Sequence, residues 1–267
     1  MNSRPFLFRR RSRNTPRKHR AYAVGDVHGC LSLLDRLLEA IEAEIARDTP
    51  RKASIVFLGD LIDRGPHSAQ VVERLRTYRP PGASAHFIMG NHEEVMLKVL
   101  EGDVELLASW LRFGGKETLQ SYGLDAAQLA GEPDAAMIDR IRAAVPASHR
   151  NFLGGFADSI SFGDYLFVHA GIRPGIDIAE QAQSDLRWIR DPFLQDERDH
   201  GTLVVHGHTI SREVDVASNR IGIDTGAYNS GTLTALALDG RRRWLVQTGK
   251  DGIHRNELSE IHNDSFG

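Results

Sequence analysis

Three strand-loop-helix units follow one another near the start of the chain, and this pattern constrains the fold more than any other feature of the sequence. Each unit begins with a short apolar run that predicts a buried strand, at 21–24, 53–58 and 85–89. Apolar residues at helical spacing follow each loop, over 31–47, 68–78 and 95–100. Strands that alternate with helices predict right-handed crossovers and a largely parallel sheet. We therefore expect an α/β fold whose first three loops open at one edge of that sheet.

The second half of the sequence predicts a helical insertion and then a second sheet. Helical segments interrupted by glycine and proline extend from Asp103 to about Phe156. Short strand-like runs then return, at 165–168, 202–205, 220–223, 233–238 and 243–247. Asp239-Gly240 is a hairpin-turn signal between the last two of these runs. We expect one domain over 21–250 that contains the insertion at about 103–156, and a polar tail over 251–267.

The composition places the chain among globular proteins and restricts the type of metal site that it can build. Of its residues, 41% are hydrophobic and 26% are charged. It contains no apolar run of the roughly 18 residues that a membrane span needs and no apolar stretch typical of a signal peptide, so we expect a cytoplasmic protein without a membrane span. Cys30 is the only cysteine, which excludes an intramolecular disulfide and a thiolate-rich zinc site.

Positive charge is concentrated at the start of the chain. Residues 1–20 contain seven Arg, one Lys and no acidic residue, a charge of +8. Because the whole chain has a net charge of −3, the remaining residues have a net charge of −3 − 8 = −11. A basic arm of this kind can bind nucleic acid, anionic lipid or an acidic partner, but most such arms are solvated and disordered. We expect a disordered arm over 1–20, and the acidic remainder disfavours a broad nucleic-acid-binding face on the folded part.

Metal-ligating residue types occupy five loop segments, each directly after a predicted strand. These segments are Asp26-Val27-His28, Asp60 with Asp63-Arg64, Asn91-His92-Glu93, His169, and His206-Gly207-His208. Alone, each has an ordinary structural explanation, because an aspartate in a glycine-flanked turn usually caps a helix or closes a turn. Together they favour one site, because strand ends of an open α/β sheet converge. Imidazole and carboxylate ligands suit Mn, Fe or Zn, and a pair of such ions about 3.5 to 4 Å apart is typical of phosphoryl displacement.

These segments resemble the signature blocks of the phosphoprotein phosphatase family. The first three blocks are Gly25-Asp26-Val27-His28-Gly29, Gly59-Asp60-Leu61-Ile62-Asp63-Arg64-Gly65 and Gly90-Asn91-His92-Glu93; the later ones are Val168-His169-Ala170-Gly171, Gly207-His208-Thr209 and Ile223-Asp224-Thr225-Gly226-Ala227. The resemblance covers about Ala21 to Val246 and is strongest to the bacterial branch similar to serine/threonine protein phosphatases. It implies a calcineurin-like metallophosphoesterase β-sandwich, with two mixed sheets flanked by helices.

The resemblance also implies a two-metal site and a role for each residue. It makes Asp26 and His28 ligands of one divalent ion, Asp60 the bridge, and Asn91, His169 and His208 ligands of the other, with manganese expected and iron or zinc as alternatives. A hydroxide held between the ions would attack phosphorus in line. His92 would be the general acid, oriented by Asp63. The substrate-binding residues would be Arg64, Arg190 and Asn91, with Arg187 as an alternative to Arg190, while His206 would be structural.

Three functions are consistent with these motifs. The leading prediction is a phosphatase that acts on phosphoserine and phosphothreonine in proteins, or on another small phosphate monoester. The alternative is a dinucleoside polyphosphate hydrolase of the diadenosine tetraphosphate type, a sister family that the Gly29-Cys30 and Arg64-Gly65-Pro66 segments also resemble. The third is a non-catalytic adaptor that binds nucleic acid or another anionic partner through the arm. The intact ligand set disfavours this third function.

Overall fold

Two mixed β-sheets pack face to face, and helices cover their outer faces. The computed structural model describes residues 13–16, 18–129 and 131–258. The strands are β1 (His19–Val24), β2 (Lys52–Phe57), β3 (Ser84–Phe87), β4 (Ser159–Phe162), β5 (Tyr165–Val168), β6 (Leu203–His206), β7 (Asp215–Val216), β8 (Arg220–Gly222), β9 (Thr234–Asp239), β10 (Arg242–Gly249) and β11 (Gly252–Glu257). The helices are α1 (Leu31–Asp48), α2 (Ser68–Arg76), α3 (Asn91–Glu101), α4 (Val104–Trp110), α5 (Lys116–Ser121), α6 (Asp134–Ala144), α7 (Ala147–Gly154), α8 (Gln183–Trp188), α9 (Asp191–Leu194) and α10 (Ala227–Ser230).

Each sheet has a parallel centre with antiparallel strands beside it. The first sheet has the order β11-β10-β9-β1-β2-β3, in which β1, β2 and β3 are parallel and β9 to β11 are antiparallel to their neighbours. The second has the order β4-β5-β6-β8-β7, with β5, β6 and β8 parallel. The expected α/β class with two mixed sheets is therefore confirmed.

Alternate residues of β1 show how the two sides of the first sheet are filled. Ala21 and Ala23 face a core between the sheets, which contains Phe167 of β5. Tyr22 and Val24 belong to a larger core beneath α1, α2 and the helices that follow α3. These four side chains, of the six in β1, are fully buried. A strand buried on both faces is typical of the centre of an α/β sheet, which is why this run is continuously apolar.

The segment after α3 is helical and packs beside the first three units. It contains α4 to α7 and a π-helical segment, Leu111–Gly115, which is kinked at Phe113 and Gly114. Gly114 has a φ of 119°, a backbone conformation that glycine adopts without strain. The kink sends the chain back toward the loop after β2. No helix in the described ranges has the length and apolar character needed to cross a bilayer.

The structure adds detail to the sequence-based expectations about the sheets and the chain ends. The first sheet is mixed rather than largely parallel, because β9 pairs with β1, and β10 with β9, instead of joining the second sheet. Apolar periodicity predicts a strand but does not identify its partner. The expected polar tail contains a strand, β11, whose residues are largely exposed because it pairs only with β10 at the sheet edge.

The end of the expected basic arm is also part of the fold. His19 and Arg20 lie in β1, and the guanidinium of Arg20 is buried between Asp48 and Asp239, at 2.8 Å from each carboxylate. Two carboxylate partners offset the cost of burying this charge. Residues 1–12 of the predicted arm lie outside the described residues.

Candidate metal centre and active site

The predicted ligands lie in loops at the carboxyl ends of parallel strands. Asp26 follows β1, Asp60 follows β2 and Asn91 begins α3 just after β3. In the second sheet, His169 follows β5 and His208 follows β6. Backbone hydrogen bonds join these loops; for example, the His28 N–H donates to the Asp60 carbonyl at 2.8 Å. The topology thus brings together side chains that are far apart in sequence.

Two groups of potential ligand atoms share the Asp60 carboxylate. One group is His28, Asp60 and His92, and the other is Asp60, His169 and His208; within each group the ligand atoms lie within 4.8 Å of one another. The Nε2 atoms of His28 and His169 lie 3.6 and 3.4 Å from opposite oxygens of Asp60. Asp60 therefore occupies the central position between the two groups.

The other two predicted ligands also lie in this cluster. The side-chain oxygen of Asn91 is 2.8 Å from His169 Nε2 and 2.9 Å from His208 Nδ1, so Asn91 completes the second group. Asp26 accepts a hydrogen bond from the backbone N–H of His208. Asp26 is not a member of the first group, whose third residue is His92.

Hydrogen bonds from the outer ring nitrogens orient two of the histidines. His28 Nδ1 donates to the Ile62 carbonyl at 2.7 Å, and His169 Nδ1 donates to the Leu58 carbonyl at 2.9 Å. Each Nε2 then carries the lone pair, the arrangement that metal-binding histidines require. Burial lowers the pKa of His28 to about 3 and also lowers the pKa of His169. Neutral imidazoles are the form that binds metal.

Closely spaced buried carboxylates make this cluster suited to cations. Burial, together with the charges of Asp224 and Asp60, raises the pKa of Asp26 well above its ordinary value. Three carboxylates of this kind repel one another, and divalent ions among them would relieve the repulsion. His169 Nε2 and His208 Nδ1 lie 2.8 and 2.9 Å from the Asn91 side-chain oxygen, so three potential donor atoms converge in the second group. The residues therefore fit the two divalent ions that the sequence motifs imply.

His92 and Asp63 form a buried pair beside this cluster. His92 Nδ1 lies 2.6 Å from an Asp63 carboxylate oxygen. Burial by itself would lower the pKa of His92, but the Asp60 and Asp63 carboxylates outweigh burial and raise the pKa to about 9. At neutral pH the ring is therefore a cation that can donate a proton.

The helical insertion holds Asp63 in position. The indole N–H of Trp110 donates to the Asp63 carboxylate at 3.1 Å, and the Thr118 hydroxyl donates to it at 2.6 Å. The backbone N–H of the next residue, Arg64, donates to the Gly114 carbonyl at 3.2 Å. The insertion is thus part of the active-site architecture and does more than cover the core.

Two arginines flank the cluster, and a third is engaged elsewhere. The Arg64 guanidinium lies 3.0 Å from His28 Nε2 and 3.2 Å from His92 Nε2. Arg190 is exposed and makes no ion pair with the described residues. Burial is the main cause of the lowered pKa of His208, and the charges of His169 and Arg190 add to it. Arg187 is instead paired with Asp158 and Glu94 and is largely buried. Arg187 is therefore held by two carboxylates, whereas Arg190 has no such partner among the described residues.

Comparisons with known proteins identify the fold family. The family model for calcineurin-like phosphoesterases matches residues 19–238. The chain belongs to the calcineurin-like phosphoesterase family.

Proteins similar to this phosphoesterase include two kinds of bis(5'-nucleosyl)-tetraphosphatase. A symmetrical enzyme from Acidovorax ebreus is 35% identical over 153 residues, which are 57% of this chain and 44% of the relative. An asymmetrical enzyme from Anoxybacillus flavithermus is 28% identical over 233 residues, which are 80% of this chain and 88% of the relative. The chain thus matches less than half the length of the first relative and most of the second.

Solved structures share the fold at low sequence identity. A candidate diadenosine tetraphosphatase has a TM-score of 0.58 at 20% identity, with 90% of this chain and 94% of that chain covered. A cold-active protein-tyrosine phosphatase from a psychrophilic Shewanella has a TM-score of 0.58 at 19% identity, with 92% and 83% covered. These two structures support the calcineurin-like architecture.

Backbone strain is concentrated in the active site of this phosphoesterase. Among the described residues, seven non-glycine residues have positive φ. Five of these are site residues: His28, Asp60, Asp63, Arg64 and His208. Left-handed backbone in such residues costs free energy and persists only where the surroundings enforce it. The loops are therefore constrained to project these side chains into one place.

Two residues with clear structural roles were not predicted as site residues. Glu93 is fully buried and accepts backbone hydrogen bonds from Asp60 at 2.9 Å, Leu61 at 2.7 Å and Gly90 at 3.1 Å. Asp224 is buried beside Asp26. In the sequence, Asp224 was only one residue of the Ile223-Asp224-Thr225-Gly226-Ala227 block. An acidic residue within a motif was the only signal in either case. His206 packs against other residues and lies in neither ligand group.

Proposed function

We propose that this phosphoesterase hydrolyses dinucleoside polyphosphates in a metal-dependent reaction. The observation that carries the proposal is the pair of ligand groups that share Asp60, with the Arg64 guanidinium against the first group. A set of His, Asp and Asn donors of this kind suits two divalent ions. When bound, such ions polarise a phosphoryl oxygen and make water available as a nucleophile near neutral pH.

The expected metal holders are the six predicted ligands. They are Asp26 and His28 on one side, Asp60 as the bridge, and Asn91, His169 and His208 on the other. Manganese is our choice for assays, with iron and zinc as alternatives, because imidazole and carboxylate ligands accept all three.

The remaining site residues handle the proton and the phosphate. We assign to His92 the transfer of a proton from Nε2 to the departing oxygen, and to Asp63 the orientation of the ring and stabilisation of its charged form. Arg64 and Arg190 would bind phosphate oxygens, since a guanidinium presents a planar fork of donors that matches them. The charged groups are held in place before substrate arrives, which favours catalysis by preorganisation.

A chain of several phosphates fits this arrangement better than a single phosphoryl group. Arg64 lies at the His28 group, whereas Arg190 is two residues after Trp188, whose ring lies 6.5 Å from that of His208 in the other group. The relatives named as bis(5'-nucleosyl)-tetraphosphatases support the same substrate class. They favour this alternative over our leading sequence-based prediction, a serine/threonine protein phosphatase, which none of the relatives described above carries in its name.

The adaptor hypothesis receives little support from the folded part. A site that had lost its function would be expected to have lost ligands, yet all predicted ligands lie in one cluster. A basic arm with an anionic partner remains compatible with the enzyme, because residues 1–12 lie outside the described part of the chain.

A comparison of substrates tests the proposal. Manganese-loaded protein is incubated with diadenosine tetraphosphate, a phosphoserine peptide and a phosphotyrosine peptide, and kcat/KM is measured for each. We expect the dinucleotide to be cleaved with the highest kcat/KM. Chromatography of its products shows the bond broken, because ADP alone means cleavage at the central anhydride and equal ATP and AMP mean cleavage at an outer one. A higher kcat/KM for either peptide would overturn the assignment.

A further inference from the structure

Two exposed aromatic side chains lie beside the active site. Tyr228, in α10, is 41% exposed, and Trp188, at the end of α8, is 44% exposed. Large aromatic rings are usually buried, and an exposed ring within a site is therefore an indication of ligand contact. The assigned roles for the metal, the proton and the phosphate do not use either ring.

Tyr228 lies against the first ligand group. Its ring centroid is 5.5 Å from that of His28, in an edge-on arrangement with an interplanar angle of 85°. The Arg64 guanidinium carbon lies 5.0 Å from the Tyr228 ring centroid. A ring in contact with both a phosphate-binding arginine and a metal-binding histidine is positioned for the part of a substrate that adjoins its phosphates.

Trp188 lies against the second ligand group. Its ring is 6.5 Å from that of His208, at an interplanar angle of 74°. The indole N–H donates to the Glu94 carboxylate at 2.7 Å, and Glu94 is also paired with Arg187 and Lys98. These contacts fix the orientation of the indole while leaving much of it exposed.

We propose that Tyr228 and Trp188 are stacking residues, each of which receives one nucleobase of a dinucleoside polyphosphate. This inference rests on the proposed function and adds the part of the site that selects the substrate. One ring lies beside each of the two ligand groups that share Asp60, so the phosphate chain would cross the shared centre and the two bases would lie toward the rings. Stacking tolerates any base, because every base presents a π face. A phosphoserine peptide offers neither ring a partner of this kind.

Alanine and ring-preserving variants test this inference by kinetics. KM and kcat for diadenosine tetraphosphate are measured in Trp188→Ala, Tyr228→Ala, Trp188→Phe and Tyr228→Phe, with Ile253→Ala as a control for loss of an exposed apolar side chain on β11, far along the first sheet. We expect each alanine variant to raise KM about fivefold to a hundredfold, the range for loss of one stacked base. The phenylalanine variants should have KM values close to that of the wild type, because each keeps an aromatic ring.

Two further measurements separate stacking from a structural role. Inorganic tripolyphosphate serves as a competitive inhibitor without bases, and its inhibition constant should rise much less than KM. AMP should quench the fluorescence of Trp188 in the metal-loaded protein, because the other two tryptophans, Trp110 and Trp244, are buried. The quenching should disappear in Trp188→Phe.

Each result distinguishes the inference from the proposed function. A higher KM for the dinucleotide in both alanine variants, with a much smaller change in the tripolyphosphate inhibition constant, supports stacking. If the wild type cleaves the dinucleotide but the variants keep its KM, or lose tripolyphosphate inhibition to the same extent, stacking is wrong and the proposed function stands. If the wild type does not cleave the dinucleotide, the proposed function fails and the inference fails with it.

Discussion

His92 and Asp63 form a buried hydrogen-bonded pair, with His92 Nδ1 2.6 Å from the Asp63 carboxylate. The pair holds the ring so that Nε2 points toward Asp60, at 3.8 Å from its carboxylate. It also joins the insertion to the active site, because Trp110 and Thr118 donate to the same carboxylate. The proposed proton donor therefore depends on residues that come from three separate parts of the chain.

Removal of the Asp63 charge should shift the pH dependence of the reaction. The Asp63 carboxylate helps to raise the pKa of His92 to about 9, and protonated His92 is the active form, so activity should fall as pH rises through that value. In Asp63→Asn the pKa should be lower and the alkaline fall should begin at lower pH. We expect kcat at neutral pH to fall by about a hundredfold, the range for loss of general acid catalysis.

The choice of leaving group provides the control for this variant. p-Nitrophenyl phosphate has a weakly basic leaving group that needs little protonation, so Asp63→Asn should impair its hydrolysis less than that of the dinucleotide. An equal loss for both substrates, or an unshifted alkaline limb, would exclude the role of Asp63 in supporting the acid.

A methyl group at Gly114 should impair catalysis more than it impairs folding. A Cβ built at Gly114 would lie 2.5 Å from the backbone nitrogen of Arg64 and would displace that residue. We expect Gly114→Ala to lower kcat/KM by at least about tenfold, since small displacements in a site have effects of this size. Gly123→Ala is the matched control, because Gly123 also has positive φ but its Cβ would meet no atom within 4 Å. Similar kcat/KM values in the two variants would contradict the proposed coupling.

Arg190 and Arg187 should differ in what their loss changes. Arg190→Ala should raise KM about tenfold to a hundredfold, which corresponds to loss of one or two charge-assisted hydrogen bonds, with little change in stability. Arg187→Ala should lower the free energy of unfolding by about 1 to 3 kcal/mol, because it leaves Asp158 and Glu94 without their partner. Denaturant unfolding and steady-state kinetics on both variants check this, and the reverse pattern would assign the phosphate to Arg187.

Glu93 should stabilise both metal-binding loops. Glu93→Gln places an amide N–H₂ group against backbone N–H donors of the Asp60 loop, so at least one buried donor loses its acceptor. Each such loss should lower the free energy of unfolding by about 1 to 3 kcal/mol. Each kcal/mol lost should lower the melting temperature by roughly 2 to 4 °C. Glu101→Gln, an exposed change at the end of the same helix, is the control. A melting temperature equal to that of the control would contradict this role.

Much of the fold and of the site could be predicted because local pattern and topology agree. The strands before Asp26 and Asp60 are buried over most of their length, so their apolar runs are continuous, whereas the strand before Asn91 is a partly exposed edge strand. Parallel strand ends converge for geometric reasons, and this places the ligands together without further information.

Other features depend on contacts that a local pattern does not contain. The pairing of β9 with β1 is a long-range choice between two sheets. The strand β11 is polar because it is an edge, which made it look like a tail. The roles of Trp110 and Thr118 at Asp63 follow from the kink at Gly114, and the exposure of Tyr228 and Trp188 is visible only in three dimensions.

The most direct test of the central claim is the manganese dependence of diadenosine tetraphosphate cleavage in the wild type and in Asp60→Asn, with bound metal measured in both. We expect the wild type to bind two ions per chain and its cleavage to require them. We expect Asp60→Asn, which removes the shared carboxylate charge, to bind fewer ions and to lose most of its cleavage. A wild type that cleaves the dinucleotide equally well after chelation, or an Asp60→Asn variant with unchanged metal content and rate, would contradict it.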